Sequence, residues 1–455
     1  MQFAGFLGKL LAKALASGPE SVFARMLHAH FQTDADKLPI ISESLDFSEQ
    51  PNLHLALETY LAEPGRSAEL HGVSGVQNYN DAGLTRLASS SGANLFEGHG
   101  PAPGPVQYNN VSLDEEVLAC VHRGLYLIRD HDKRYALYLR GPNEIGFPPK
   151  LQLEVMGGTK EAGEHLLGDL RRIMRTRNVY RGRVLSFGRD ERGMIRIEFH
   201  RLPKITRDQI IFPAGLLERI ERQTVLFSRH SARLLAAGRH LRRGVLLHGK
   251  PGTGKTLTAM YLASQMADRT VLLLTGIEYG TLPYTCNMAR SLQPSIVILE
   301  DVDLIAEDRS RPGCPSPLLF ELLNQMDGVA EDTDAVFLLT TNRPEILEPA
   351  LAARPGRIDQ AVEIPLPDAE SRRRLFELYG RGLTLQINEL DRFIENTKGA
   401  SAAFIRELLR KAALFAADES VDGLVVTDRH LDEAMRELVV HGGELTKSLL
   451  GAEIQ

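Results

Sequence analysis

Residues 248–256 read His-Gly-Lys-Pro-Gly-Thr-Gly-Lys-Thr, and from Gly249 to Thr256 the pattern is G-x-x-x-x-G-K-T. The apolar run Gly244-Val-Leu-Leu247 before it predicts a strand, and Leu257 to Met266 after it predicts a helix. Strand, glycine-rich turn and helix in that order make a loop that grips phosphate. Gly249, Gly252 and Gly254 allow backbone conformations that a Cβ forbids, so the loop of Gly249, Lys250, Pro251, Gly252, Thr253 and Gly254 can turn amide N–H groups toward a polyphosphate. Lys255 is placed to reach the β- and γ-phosphates and the Thr256 hydroxyl to hold Mg²⁺. Leu257 opens the helix whose N-terminal dipole adds to the same anion site.

The chain has 455 residues, too many for one compact core, so two or three domains are expected. An apolar share of 43% and a charged share of 25% are those of a soluble globular protein. A formal net charge of −6 gives no global pull toward nucleic acid or acidic membranes. The three cysteines, Cys120, Cys286 and Cys314, form no C-x-x-C pair, which points away from a disulfide framework or zinc site and toward a reducing, cytoplasmic setting. No apolar run is long enough to span a bilayer. Phe3, Phe6, Leu7, Leu10, Leu11, Ala14 and Leu15 fall at helical spacing with Lys9 and Lys13 among them. That basic amphipathic pattern is compatible with a membrane surface, but a helix packed on its own domain or a neighbouring subunit is the favoured reading.

Residues 1–60 read as a helical segment, and residues 61–110, rich in Gly, Ser, Asn and Pro, read as an irregular linker. Residues 111–204 read as an α+β domain. Within it Gly124 to Leu139 alternates like a hairpin with a turn at Asp130–Lys133, Leu151 to Val155 is a short strand and Lys160 to Arg175 is an amphipathic helix. Arg183 to Phe187 and Met194 to Phe199 suggest a second hairpin. His122 and His131 lack partners at metal-ligand spacing. From 205 to 366 short apolar runs (Val271–Leu274, Ile296–Leu299, Val336–Thr340, Ala361–Ile364) alternate with helical stretches, the pattern of a parallel sheet covered on both faces. A helix is expected from Leu216 to about Leu235. Residues 367–440 read as mostly helical, and 441–455 as a tail.

Four further stretches carry chemistry. Ser295-Ile-Val-Ile-Leu-Glu-Asp-Val-Asp303 is an apolar strand ending in acids, where Glu300 can order Mg²⁺ and Asp301 can orient or deprotonate the attacking water. Phe337-Leu-Leu-Thr-Thr-Asn342 ends in an amide that can touch a γ-phosphate or that water. Arg354-Pro-Gly-Arg357 offers guanidinium groups of the kind that stabilise a transferring phosphoryl group, often from a neighbouring subunit. Thr397-Lys-Gly-Ala-Ser-Ala-Ala-Phe404 opens a helix near the C-terminus.

In this order and spacing, residues 205–440 resemble the AAA family of ATPases, within the AAA+ superfamily. The resemblance implies an α/β P-loop nucleotide domain, a parallel sheet between helices, followed by a small helical lid. It also implies a homo-oligomeric ring, usually a hexamer, with ATP and Mg²⁺ at subunit interfaces. It assigns Lys255 and Thr256 to phosphate and Mg²⁺, Glu300 to the metal-ordering acid, Asp301 to the water-activating acid and Asn342 to sensor 1. Arg354 and Arg357 match trans-acting arginine fingers. Ala402 and Ala403 fall where the lid lines the adenosine, and Ile210 and Ile211 where the segment before the P-loop contacts adenine.

Four departures stand out. The acidic pair is Glu-Asp rather than Asp-Glu, an order similar to that of the mitochondrial AAA chaperones that assemble respiratory complex III, and slow turnover is expected from it. Thr275 to Arg290 lacks the aromatic–apolar–Gly pore loop of threading members, so Tyr279 and Tyr284 are expected to pack rather than grip polypeptide. Lys250 replaces a common Pro, and Ser401-Ala-Ala-Phe404 replaces the lid's Ser-Gly-Ala-Asp. The expectation is an ATPase that remodels a protein partner recruited through residues 1–200. A nucleotide-gated scaffold with weak turnover and a membrane-associated chaperone are the alternatives. The arginine runs 171–177 and 372–374 lie among acids and apolar residues, which argues against a nucleic-acid motor.

Overall fold

The structure, a computed structural model, describes residues 21–74, 83–89, 101–141, 150–190, 195–306, 317–327, 333–347, 358–419 and 423–441. It divides into two compact units, one of Met1–Val179 with Asp190–Ile195, the other of Tyr180–Arg189 with Arg196–Gln455.

The first unit is an antiparallel sheet covered on both faces. Its strands are β1 (Ile40–Asp46), β2 (Arg66–Ser74), β3 (Ala102–Gly104), β4 (Gln107–Leu113), β5 (Glu116–Asp130), β6 (Lys133–Arg140) and β7 (Lys150–Gly157). They run in the order β1-β7-β6-β5-β2-β3, with β4 paired to β5. Alternation decides the two faces. Tyr126, Ile128, Tyr135 and Leu137 face helices Gln50–Leu61 and Lys160–Thr176. Leu125, Leu127, Ala136 and Tyr138 face Phe23 and Leu27 of helix Val22–Phe31 and Leu84 and Leu87 of helix Leu84–Ala88. The β5–β6 hairpin turns where the sequence predicts, with Asp130 opposite Lys133, and the helix at Lys160 is capped by Thr159, whose hydroxyl accepts from the Ala162 N–H at 3.2 Å.

Three sequence expectations are corrected. Residues 1–60 are not all helical, because β1 pairs along the whole of β7. Residues 61–110 are not simply a linker, because Arg66 to His71 of β2 pair with β5. Both strands carry polar residues on an exposed face and so lack the apolar run that marks a buried strand. The third correction concerns β8 (Val184–Arg189) and β9 (Ile195–His200). They do not belong with the first sheet; β8 runs parallel to β11 of the second unit.

The second unit adds β10 (Arg243–His248), β11 (Thr270–Thr275), β12 (Ser295–Glu300), β13 (Ala335–Thr341) and β14 (Gln360–Glu363). The order is β14-β10-β13-β12-β11-β8-β9, with every pairing from β14 to β8 parallel. Val245, Leu247, Ile296, Ile298, Val336 and Leu338 form one core with Ala259 and Leu262 of helix Lys255–Ser264 and with Leu216, Leu217 and Ile220. The helix expected from Leu216 to Leu235 is broken instead into Leu216–Glu221, a π-helical turn Arg222–Leu226, and short pieces Phe227–Arg229 and Ser231–Ala236. Arg269, 3% exposed, ties the sheet's lower edge by donating to Asp334 Oδ1 at 2.5 Å and to the Ser295 carbonyl at 3.2 Å.

The C-terminal part has its own core of Leu375, Phe376, Phe393, Phe404, Leu408 and Leu431. It is built from helices Ala369–Tyr379, Leu390–Asn396, Ala402–Glu419 and Asp428–Arg436, plus a two-stranded parallel ribbon of β15 (Thr384–Gln386) and β16 (Val425–Thr427). Among the described residues no helix is long and apolar enough to cross a membrane. The basic N-terminal pattern at 3–15, Arg354, Arg357, Cys314 and the tail from 442 lie outside the described residues. Cys120 and Cys286 are buried free thiols, and Tyr284 packs edge-on against Phe187 with ring centres 5.1 Å apart.

In the first unit Asp130 accepts from Tyr60 (2.8 Å), from Arg66 (3.0 Å) and from His131 (2.9 Å). Burial works against its charge, but these donors hold its carboxyl at about 2, below the ordinary 3.8. A depressed carboxyl stabilises the fold above its unfolded value and loses that stabilisation as pH falls through the folded one. The first unit should therefore weaken between about pH 4 and pH 2. Asp130→Asn should blunt that acid limb and lower stability near neutrality by about 1–3 kcal/mol, as read by circular dichroism in denaturant titrations across pH.

Candidate functional site

Parallel pairing sets the site. His248 of β10 lies opposite Thr341 of β13, and Leu299 of β12 lies opposite Leu339. Three strands thus end at one edge, and their C-terminal ends deliver three groups to the same space: the glycine loop after β10, the acids at the end of β12 and Asn342 after β13.

The loop's shape comes from its glycines. Gly249 has φ of +147°, and a Cβ there would run into the Ile364 carbonyl after β14. Gly252 and Gly254 have φ of +73° and +98°, and Gly254 immediately precedes helix Lys255–Ser264. Lys255, 6% exposed, folds back so that Nζ donates to the carbonyls of Gly249 (2.9 Å) and Lys250 (2.8 Å). Burial pushes its ammonium down to about 8, against the pull of Asp301 and Asp303.

The acids sit beside it. Burial and the neighbouring Asp301 raise the Glu300 carboxyl, opposed by a hydrogen bond from Thr256. Burial and Asp303 raise Asp301, opposed by Lys255 and Asn342. Asp301 has φ of +52°, an uncommon conformation for a residue with a Cβ. Its N–H donates to Thr340 Oγ1 at 3.0 Å, and Asn342 Nδ2 donates to Asp301 Oδ1 at 3.2 Å. Asp303 Oδ1 accepts from the Thr341 hydroxyl (2.7 Å) and from the Asn342 N–H (3.1 Å), which fixes where Asn342 points.

These groups open on a cavity of about 590 Å³ lined by Ile210, Ile211, Pro251 to Thr258, Asp301, Asn342, Ala402 and Ala403. Ile210, in extended backbone, is buried in the sheet's core while Ile211 packs on the C-terminal helical core, so two consecutive residues join both cores. The Ala403 N–H donates to the Gly252 carbonyl at 3.1 Å, tying the helical part to the loop. Gly249 and Lys250 do not line this cavity, and their carbonyls accept from Lys255. Sequence reasoning did not single out Leu375, Tyr379 and Arg406, which also line the cavity. Leu375 and Tyr379 stand at i and i+4 on one helix, a spacing that reads as ordinary core.

The site fits a magnesium-bound polyphosphate. The loop's positive-φ glycines, a buried ammonium, a helix N-terminus and a hydroxyl bonded to a raised carboxyl are the donor set that such a group requires. Lys255 could supply charge to phosphate, Thr256 and Glu300 could hold the metal, and Asp301 with Asn342 could face the water.

Comparison with known proteins agrees with this geometry. Residues 245–366 match the family described as "ATPase family associated with various cellular activities (AAA)". The chain is similar to an "ATP-dependent zinc metalloprotease FtsH" of Rhodococcus erythropolis, 30% identical over 60% of this chain and 33% of that protein. It is similar to an "ATPase family protein 2 homolog" of Caenorhabditis elegans, 28% identical over 68% of this chain and 45% of that one. A "Proteasome-activating nucleotidase" of Methanopyrus kandleri is 33% identical over 45% of this chain and 51% of its own length. The chain thus spans about half or less of these relatives.

Replacing Gly249 by Ala should drive a Cβ into the Ile364 carbonyl and distort the loop. Nucleotide affinity should fall at least ~10-fold, about 1.4 kcal/mol, in a titration with a fluorescent ATP analogue.

Proposed function

With an AAA ATPase domain at residues 245–366 as its premise, we propose that this chain works as an oligomeric ATP hydrolase that remodels a protein partner recruited by its N-terminal unit. The observation that carries this reading is the convergence of Lys255, the Thr256–Glu300 pair and the Asp301–Asn342 pair at one cavity that the C-terminal helical lid also walls.

Bound Mg²⁺–ATP supplies the phosphoryl group to be transferred. Lys255 leaves the Gly249 and Lys250 carbonyls and neutralises phosphate charge; meeting an anion also restores the protonation that burial weakens. Thr256 and Glu300 would hold the metal, which would offset phosphate charge. Asp301, whose raised carboxyl suits a proton acceptor, takes the proton of the attacking water while Asn342 orients it. The shorter Asp arm on the water side favours modest turnover. Arg354 and Arg357 complete the site from the adjoining copy in a ring, with six copies as the expected closure. Ile210, Ile211, Ala402 and Ala403 enclose the adenosine. The remodelling role is supported by the relatives' names, a protease and a proteasome activator that bear on protein substrates.

Lys255→Ala should lower ATP turnover at least ~10-fold by weakening binding. Asp301→Asn should lower it by roughly 10²-fold while binding persists. Phosphate release and analogue titration measure the two effects, and unchanged turnover in both variants refutes these roles. Arg354→Ala and Arg357→Ala subunits mixed into wild type should depress turnover beyond their own share if the guanidinium groups act in trans.

A further inference from the structure

The run Arg372-Arg373-Arg374 gives each of its guanidinium groups a different setting. Arg372 is buried and donates to the carbonyls of Ile394 (2.9 Å) and Pro367 (3.0 Å), and Arg373 pairs with Asp391. Arg374 is exposed, and among the described residues its side chain makes no hydrogen bond or ion pair. It lines a second cavity, of about 440 Å³. The apolar wall of that cavity is Ile210, Phe212, Pro213 and Leu217, with all but the proline buried. The other charged residues on it are engaged. Arg207 donates to Glu218 at 2.7 Å and to Glu221 at 3.1 Å. Asp208 accepts from Arg381 at 2.8 Å and from the Thr206 hydroxyl at 2.5 Å.

Small-ligand pockets span roughly 300–1,000 Å³, and this cavity falls within that range. An apolar wall beside an unpaired guanidinium suits a molecule with an apolar body and an anionic end. The planar fork of arginine matches a carboxylate with two parallel hydrogen bonds. Arg374 balances a single negative charge, whereas a phosphate dianion would leave excess charge beside Asp208 and Glu218. Ile210 and Phe212 also line the nucleotide cavity, and helix Ala369–Tyr379, which carries Arg374, turns Leu375 and Tyr379 into it. The two cavities therefore share one wall and one lid helix. A ligand that joins Arg374 to Leu217 favours a particular placement of the lid on the sheet. A nucleotide that joins Ala402 and Ala403 to the glycine loop favours the same placement, so each strengthens the other. We propose that the second cavity binds a small apolar monocarboxylate, its carboxylate on Arg374 and its body against Ile210, Phe212 and Leu217, and that this ligand tightens nucleotide binding. The tightening rests on the nucleotide reading above; occupancy of the second cavity does not.

The test is calorimetric titration of the full chain with naphthoate, with its neutral counterpart naphthamide and with naphthyl phosphate, each with and without ADP. Naphthoate should bind at least ~10-fold tighter than the amide or the phosphate ester. Saturating naphthoate should tighten ADP at least ~3-fold. Arg374→Ala should weaken naphthoate at least ~10-fold and bind ADP alone as wild type does, since Arg374 does not line the nucleotide cavity. Unchanged ADP affinity also shows that the variant is folded. Arg374→Lys, which keeps the charge without the fork, should bind naphthoate with intermediate affinity. Naphthoate that fails to bind wild type up to ~10 mM, or that binds wild type and Arg374→Ala alike, overturns the proposal. Displacement of naphthoate by ADP would place the probe in the nucleotide cavity and overturns it too, as does tighter binding of the phosphate ester. Binding with no effect on ADP overturns the coupling. Should ADP itself fail to bind wild type, the nucleotide reading falls together with the coupling, while loss of naphthoate in Arg374→Ala still upholds the second site.

Discussion

The second unit depends on the register of three parallel strands. Because β10, β12 and β13 end at one level, residues far apart in sequence, Gly249, Glu300 and Asn342, arrive at a common edge without any dedicated scaffold. Parallel pairing buries both faces of the sheet, and the cores on either side fix that register: a slip of one residue would turn Leu247, Ile298 and Leu338 away from helix Lys255–Ser264. The chemistry at the edge is then a consequence of packing in the middle. Thr340, buried in β13, shows the link directly, since its hydroxyl accepts the N–H of Asp301 and holds that residue in its left-handed conformation.

Crowded negative charge is the second organising fact. Glu300, Asp301 and Asp303 sit within four residues, and burial raises the first two carboxyls. Left alone, such a cluster costs stability. A hydroxyl from Thr256, an amide from Asn342 and the ammonium of Lys255 offset part of that cost. A divalent cation would offset more, which is why the arrangement reads as prepared for a metal rather than as a structural ion-pair network.

The same physics decides how much of the molecule was legible in its sequence. Continuous apolar runs announced β11, β12 and β13, and the glycine loop, the acids and Asn342 were visible because each occupies a short, contiguous motif. The strands β1 and β2 were hidden, since residues such as Glu43, Ser44, Glu69 and His71 mix polar side chains into both strands. β8 was seen as a strand but assigned to the wrong sheet, because a parallel partner more than eighty residues later leaves no local trace. The cavity's far wall was equally hidden. Leu375, Tyr379 and Arg406 come from lid helices with no motif of their own, and only tertiary packing brings them opposite the loop.

The hydrogen bond between the Gly252 carbonyl and the Ala403 N–H has a mechanical corollary. Ala403 stands at the root of an 18-residue helix, a rigid rod of about 27 Å. A tilt of roughly 10° at that root sweeps the distal tip through about 5 Å. A small rearrangement of the glycine loop that tilted this helix would thereby be enlarged at its far tip, with one main-chain link as the fulcrum.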